Sequence, residues 1–248
     1  MHLNSLVDYI GTILEPQNFS DYCPNGLQVQ GRSEIKKVVT GVTASMDFLE
    51  AAKNENADAV LVHHGFFWKN ESPCLIGIKQ KRIKFLLEND ISLLAYHLPL
   101  DAHPKLGNNA QLAKVLKLKL DGFTGQQNIL AYGYVDQSQT LLQFSKHISK
   151  SLGRLPMIFG DDKKIIKKVA WCTGAAQSYM EDAIALGVDV FISGEVSEQT
   201  YHLAKESGVA FIAAGHHATE RYGINALGIH LNQHLSVDHQ FIDIDNPI

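Results

Sequence analysis

Cysteine is scarce in this sequence, with Cys23, Cys74 and Cys172 as the only three among 248 residues. An odd number of cysteines without a C-x-x-C pair argues against a disulfide framework and a thiolate metal site. This usage is typical of a reducing cytoplasm, which is the location we predict. The sequence also lacks an apolar run of roughly 18 residues, so we predict no membrane span.

A large excess of charge of either sign is also absent. Lysine and arginine number 22 against 26 aspartates and glutamates, and the net charge of -4 argues against an obligate polyanion binder. A glycine-rich loop with lysine, which would cradle nucleotide phosphates, is missing as well. Apolar residues are plentiful at 45%, enough for one large α/β domain or two smaller lobes.

The chain contains an internal repeat at a constant shift of 131 residues. Residues 168–195, KVAWCTGAAQSYMEDAIALGVDVFISGE, align with residues 37–64, KVVTGVTASMDFLEAAKNENADAVLVHH. Each half is predicted to form strand, helix, strand, helix and strand, with polar groups after the second and third strands. We therefore predict an α/β protein of two related lobes, an internal duplication that allows the lobes to be intertwined.

The order of these elements suggests boundaries for the two lobes. We expect the first α/β lobe to span residues 1–122 and the second to span residues 166–248. Residues 123–165 are expected to form a connecting strand, helix and strand, with the helix beginning near Ser138.

Polar side chains follow four of the predicted strands. These groups are His63-His64-Gly65, His97 to Asp101, Gly194-Glu195, and His216-His217 to Glu220. Parallel α/β sheets place ligand sites beyond the carboxyl ends of their strands. Two related lobes that face one another would bring the groups together in a cleft. Imidazole with carboxylate is the donor set of zinc, iron and manganese sites, so we predict a metal site there.

The spacing of these donors leaves two arrangements open. Adjacent strand residues point to opposite faces, so either His63 or His64 is not a direct ligand, or two metals are present. His216 and Glu220 share a face if a helix begins there, and a carboxylate on that face can bridge two ions. His217 is then expected to support the site or cap the helix, and Asp101 offers a second oxygen ligand.

Long motifs in the sequence resemble those of the Nif-three-like proteins, which are commonly described as GTP cyclohydrolase I type 2 homologues. The matching stretches are DYCPNGLQVQG, TGVTAS, ADAVLVHHGFFWK, HLPLDAH followed by GNN, SGEVSEQT and AAGHHATERYG. The resemblance covers nearly the whole chain.

This resemblance implies a dinuclear metal centre between two α/β lobes and a ring-shaped homohexamer. Carried over by position, the metal ligands are His63, His64, Asp101, His216 and Glu220, with Glu220 as the bridge. None of these residues is substituted in this sequence. The expected cofactors are two divalent ions, for which iron, zinc and manganese are the candidates.

Two further residues are candidates for catalysis. His97 could act as a proton shuttle near the metals, or it could be a strand-end histidine bonded to a backbone carbonyl. Glu195 occupies the position that matches His64 in the repeat. It is a candidate general acid or base, or a helix N-terminal carboxylate favoured by the helix dipole.

The predicted function is metal-dependent hydrolysis of a nucleotide-like small molecule. The resemblance implies ring opening of GTP as the reaction. Hydrolysis of a phosphoester and hydrolysis of an amide are the other possible reactions. The alternative is a non-enzymatic, ring-shaped, metal-binding scaffold that binds a protein or single-stranded nucleic acid through its central opening.

Overall fold

The computed structural model describes all residues from 1 to 248. The helices are α1 (Leu3–Leu14), α2 (Met46–Asn54), α3 (Gly77–Glu88), α4 (Leu98–Ala102), α5 (Asn108–Val115), α6 (Leu141–Leu152), α7 (Met180–Ala185), α8 (Glu198–Ser207) and α9 (His216–His234). None of them is long and apolar enough to cross a lipid bilayer.

The strands are β1 (Gly26–Val29), β2 (Lys37–Thr43), β3 (Ala59–His64), β4 (Ser92–Ala95), β5 (Leu118–Thr124), β6 (Leu130–Thr140), β7 (Met157–Phe159), β8 (Ile165–Cys172), β9 (Val190–Ser193), β10 (Ala210–Ala213) and β11 (Asp238–Phe241). They form one sheet of five strands and one of six.

The chain divides into two compact units. The first unit comprises residues 1–107 and 224–245, and the second comprises residues 108–223 and 246–248. These limits differ from the boundaries that we expected from the sequence. The difference arises because β11 pairs with β2 in the first sheet, and β5 pairs with β6 in the second.

Residues 123–165 are elements of the second unit rather than a separate connector. They supply β6, α6 and β7, and both strands pair within the second sheet. Helix α6 begins at Leu141, slightly later than expected from Ser138. Thr140 sets this start, because its side chain and that of Gln143 form a reciprocal capping box.

The first sheet has the strand order β1-β4-β3-β2-β11, with only β1 antiparallel to its neighbour. Both faces of its central strand are apolar. Leu61 packs into one buried cluster, and Val60 and Val62 pack into another on the opposite face. The first cluster also contains the buried apolar residues of α1, together with Ile224, Leu227 and Leu231 of α9.

The second sheet has the order β5-β6-β8-β9-β10-β7. Strands β8, β9 and β10 are parallel, and β7 is antiparallel at one edge. Phe144 and Ile148 of α6 pack with Val169, Trp171 and other buried residues of the sheet in one apolar cluster. The burial of both faces of the central strands explains their continuous apolar sequences.

The structure confirms the duplication that the sequence predicts. Val38 of β2 lies opposite Ala59 of β3, and Val169 of β8 lies opposite Val190 of β9. Both members of the second pair follow those of the first by 131 residues, the shift of the sequence repeat. Each unit also adds an antiparallel strand at the same place, β1 beside β4 and β7 beside β10.

A carboxylate contact is repeated as well. Asp58 Oδ2 accepts hydrogen bonds from the main-chain amides of Lys36 and Lys37. Asp189 Oδ2 accepts the equivalent bonds from Lys167 at 2.8 Å and Lys168 at 2.9 Å. Each aspartate directly precedes one parallel strand, or lies at its start, and thus ties it to main-chain amides in or next to the neighbouring parallel strand.

Replacing Asp189 by alanine should therefore lower the free energy of unfolding by about 1–3 kcal/mol, because two main-chain amides lose their acceptor. Urea denaturation measures this change. Asp162→Ala removes an exposed aspartate and serves as the control, with an expected effect within about 0.5 kcal/mol. Equal effects of the two substitutions would contradict a fastening role for Asp189.

Candidate metal site

The first group of candidate ligands lies where β3 ends. His63 and His64 are its last two residues, and their ring centroids are only 4.5 Å apart. The alternation of side chains along a strand therefore does not separate the two imidazoles, as it would in a longer regular strand. This proximity leaves both rings available to one site in the first unit.

His63 has a fixed orientation. Its Nδ1 lies 3.0 Å from the main-chain oxygen of Tyr96, to which only a protonated Nδ1 can donate. The other ring nitrogen, Nε2, then carries a lone pair and lies 3.5 Å from Asp101 Oδ1. Both side chains are buried. A lone pair and a carboxylate oxygen at this separation are suitable donors for one cation.

His64 and His97 complete the imidazole group. The Nδ1 atom of His64 lies 3.1 Å from the hydroxyl of Thr43. The ring of His97 is 5.0 Å from that of His63 and 5.8 Å from that of His64, measured between centroids. One nitrogen from each of the three rings lies within 4.8 Å of the others. These three residues could therefore contribute to a metal site.

The structure shows a partner of His97 that the sequence does not predict. Asp21 Oδ1 lies 2.7 Å from His97 Nδ1, so the bond that orients this ring is to a carboxylate rather than a backbone carbonyl. Asp21 Oδ2 accepts from the Leu98 amide and the Asn25 side chain. Burial raises the pKa of Asp21, but His97, Asn25 and Leu98 together lower it below its usual value.

Asp21 and Asn25, the partners found in the structure, belong to a recognisable sequence motif. Asp21 and Asn25 belong to the DYCPNG motif, which marks a turn and lies far from His97 in the chain. Cys23 of the same motif lies close to Asp21 and His97. Burial and the charge of Asp21 raise the pKa of the Cys23 thiol to about 12, so it stays protonated at neutral pH. None of the three cysteines forms a disulfide bond.

The second group of candidate ligands lies at the start of α9. His216 is the first residue of the helix and Glu220 follows one turn later, so the predicted helical spacing is confirmed. His216 Nε2 lies 3.2 Å from Glu220 Oε2. His216 Nδ1 lies 2.6 Å from Glu195 Oε1, in the loop after β9. The imidazole therefore lies between two carboxylates of the second unit.

These carboxylates determine the protonation of His216. Burial lowers its pKa, but hydrogen bonds and charge interactions with Glu220 and Glu195 raise the pKa to about 9. In the absence of a metal the ring is therefore a cation at neutral pH. A divalent ion at Nε2 would replace that proton and keep the charge between the two carboxylates balanced.

Glu195 contacts His216 directly, whereas the main-chain amide of His217 bonds to the end of the chain. The main-chain amide of His217 donates to the main-chain oxygen of Ile248, and its neighbour His216 is the residue that contacts both carboxylates. Glu195 contacts Nδ1, the nitrogen that does not face Glu220. This contact orients the ring, as a carboxylate commonly does for a metal-binding histidine.

Glycine 174 keeps space open beside these ligands. Its φ angle is +67°, and an added Cβ would collide with Glu220 Oε1 and lie 3.2 Å from His216 Nε2. The main-chain oxygen of Gly174 also accepts hydrogen bonds from the amides of Gly194 and Glu195. The loops after β8 and β9 are thereby tied together next to the two ligands.

Each unit thus contains the same chemical arrangement. A histidine has Nδ1 held by a protein acceptor and Nε2 close to a carboxylate oxygen, with His63 and Asp101 in the first unit and His216 and Glu220 in the second. Neutral imidazole nitrogens and carboxylates are the ligands of zinc, iron and manganese. The residues present therefore fit a divalent transition metal.

Comparison with known proteins gives one consistent result. The family model described as Duf34/NIF3 (NGG1p interacting factor 3) matches residues 1–247. A protein of Pseudomonas aeruginosa named GTP cyclohydrolase 1 type 2 homolog is 51% identical over 99% of this chain and 98% of its own. A protein of Escherichia coli K12 with the same name is 50% identical over the full length of both chains.

The structural comparison agrees with the sequence comparison. The crystal structure of TTHA1606 from Thermus thermophilus is 31% identical and covers 100% of both chains, with a TM-score of 0.90. The α/β architecture is therefore shared over the whole length.

Replacing Gly174 by alanine tests whether the space beside Glu220 and His216 is required. The φ angle and the collision of Cβ should lower both the stability and the metal content of the purified protein. Gly187→Ala is the matched control, because Gly187 has a φ of +64° and open space around its Cα.

Thermal unfolding and elemental analysis measure the two effects. The control should lose about 1 kcal/mol of stability and keep its metal. If both variants keep the same metal content, the space at Gly174 does not serve a metal.

Proposed function

Because the chain belongs to the Duf34/NIF3 family, and because both units pair an oriented imidazole with a carboxylate, we propose that it is a metal-dependent hydrolase. In this proposal His63, His64, Asp101, His216 and Glu220 bind two divalent ions, and Glu220 bridges them. The observation that carries the proposal is the repeated Nδ1 contact that directs each Nε2 toward a carboxylate.

The number and type of ligands support catalysis rather than a purely structural metal. Five protein ligands shared by two ions leave coordination positions open, whereas structural zinc sites are usually closed by protein ligands. Divalent ions in such sites supply Lewis acidity and activate water for hydrolysis. Iron, zinc and manganese all suit these ligands, and their supply in the cell often decides which is bound.

Two residues beside the ligands support proton transfer. Asp21 holds Nδ1 of His97, so the Nε2 atom is left to exchange a proton with a substrate or leaving group. Glu195 holds Nδ1 of His216 and keeps that ring in place. We therefore propose His97 as the general acid or base, with Asp21 as the residue that positions it. Glu195 remains a second candidate for this role.

The substrate class follows from the relatives and from an aromatic side chain. Relatives with about half of their residues identical are named GTP cyclohydrolase 1 type 2 homolog, which favours a nucleotide-like small molecule. The Trp68 ring lies edge-on to His97 at 5.1 Å, and 5.9 Å from His64. An indole beside the candidate ligands suits a flat heterocycle. A cytoplasmic, ring-shaped homohexamer completes the proposal.

Glu220→Gln tests the bridging role directly. The amide keeps the shape of the side chain but lacks the charge that attracts two cations, so metal content should fall from about two ions per chain to below one. Glu198→Gln, in the exposed first turn of α8, is the control and should keep its metal. Elemental analysis of protein purified without an affinity tag gives both numbers. Loss of less than one ion in Glu220→Gln would contradict a bridge.

Turnover tests the hydrolase. Protein loaded with manganese, iron or zinc is assayed against purine nucleotides, phosphoesters and amides. His97→Gln and Asp21→Asn should lower kcat by about 100-fold or more while the metal content stays unchanged, because proton transfer typically contributes 10²–10⁴-fold. A metal-loaded protein without turnover across this panel would contradict the hydrolase and favour a non-enzymatic scaffold that binds a protein or single-stranded nucleic acid.

A further inference from the structure

The first unit contains a pair of stacked histidines that are not among the candidate ligands. His230 and His234 lie in the part of α9 that belongs to this unit, four positions apart in the helix. Residues at this spacing lie one above the other on the same helix face. The two imidazole rings are stacked with their centroids 4.0 Å apart and an angle of 26° between their planes. The helix thus holds both rings side by side.

A hydrogen bond determines which nitrogen of His234 can bind an ion. Its Nδ1 lies 2.9 Å from the main-chain oxygen of His230, and only a protonated Nδ1 can donate to that oxygen. The lone pair of the neutral ring is then on Nε2. A main-chain acceptor at Nδ1 is the usual support of a metal-binding imidazole. The His234 side chain is also exposed, so an ion can reach Nε2 from solvent.

A phenol oxygen lies beside the second ring of the pair. The hydroxyl of Tyr9, in α1, is 3.1 Å from Nε2 of His230, and the two rings are stacked with 16° between their planes. Ligand atoms that bind one ion through bonds of about 2.0–2.2 Å lie roughly 3 Å from each other. The separation of the Tyr9 oxygen and the His230 nitrogen therefore suits two ligands of the same ion.

A third histidine of this region, His103, is not arranged as a ligand. Burial and the charge of nearby His230 lower its pKa, so the ring is neutral at neutral pH. Its Nδ1 accepts hydrogen bonds from the main-chain amides of Lys105 at 3.2 Å and Leu106 at 2.9 Å. The proton of the neutral ring is then on Nε2, which leaves neither nitrogen with a free lone pair. The donor set is therefore two imidazoles and one phenol.

We propose that His230 and His234 bind one divalent transition-metal ion at the surface of the first unit, with the Tyr9 hydroxyl as a third donor. Imidazole ligands suit zinc, nickel and copper, whereas magnesium and calcium take oxygen ligands. Tyr9 belongs to α1 and the histidines to α9, and both helices pack in the same apolar cluster. The ion would therefore link α1 to α9. The site shares no residue with the proposed dinuclear centre and does not depend on the proposed function.

Equilibrium dialysis of the intact, tag-free protein against zinc, followed by elemental analysis, tests the inference. His234→Ala should retain about one zinc ion fewer per chain than the unsubstituted protein, because a single imidazole no longer chelates the ion. His147→Ala is the control, since this histidine of α6 contacts the main-chain oxygen of Leu116 and has Gln143 and Ser151 four positions away. The control should keep all its zinc. Equal zinc contents in His234→Ala and the unsubstituted protein, or equal losses in the two variants, would overturn the inference.

A titration in the Glu220→Gln background separates this site from the proposed dinuclear centre. Isothermal titration with zinc should still show the His230 and His234 site, and adding His234→Ala or His230→Ala should weaken that binding by about tenfold or more. This result would support the inference even if the protein hydrolyses no substrate. A weakening of less than tenfold would mean that the two rings do not share an ion, and it would overturn the inference whatever metal the dinuclear centre binds.

Discussion

The candidate site depends on hydrogen bonds that hold one nitrogen of an imidazole so that the other faces a carboxylate. Tyr96 O plays this part for His63, and Glu195 does so for His216. Without these acceptors each ring could rotate and change tautomer, and its second nitrogen would have no defined direction. The acceptors themselves are fixed, because one is a main-chain oxygen just after β4 and the other lies in a loop tied to Gly174. The chemistry that we propose follows from this orientation.

Duplication explains why two such arrangements exist and why they differ. The two units share four strands in the same order, β1-β4-β3-β2 in the first and β7-β10-β9-β8 in the second, and they share the register of the first parallel pair and an aspartate contact between those two strands. After β3 the first unit has His63 and His64, whereas the second has Gly194 and Glu195 at the matching positions. The first unit is therefore rich in imidazole, and the second is rich in carboxylate. Glycine at 194 and 174 leaves the space that His216 and Glu220 occupy.

The sequence predicted most of the fold because its signals are local and repeated. Apolar runs identified the parallel strands, and the shift of 131 residues identified the duplication. The limits of the two units could not be predicted in the same way, since they depend on β5 pairing with β6 and on β11 returning to β2. Strands β11 and β2 are far apart in the chain, so their pairing leaves no periodic signal in the sequence, and the pattern of β5 and β6 does not show which sheet this neighbouring pair joins.

The candidate ligands were predictable, whereas most of the contacts that orient them were not. Histidines and carboxylates after buried strands stand out, and the spacing of His216 and Glu220 already suggested one helical face. Asp21 contacts His97 from 76 residues away, and no pattern connects the two positions. Tyr96 contacts His63 through its main-chain oxygen, so its side-chain type gives no indication of the contact. Asp21 and the Tyr96 carbonyl are therefore found only in the structure, and for Glu195, which the sequence indicated as a candidate acid or base, the structure adds the contact that orients His216.

Anomalous X-ray diffraction from crystals of tag-free protein would locate the metal ions and identify their ligands. We expect two divalent ions per chain, with Nε2 of His63 and Nε2 of His216 among their ligands and Glu220 in contact with both ions. Crystals grown with added manganese, iron or zinc that show no anomalous peak at these nitrogens, or that show the ions bound to other residues, would contradict it.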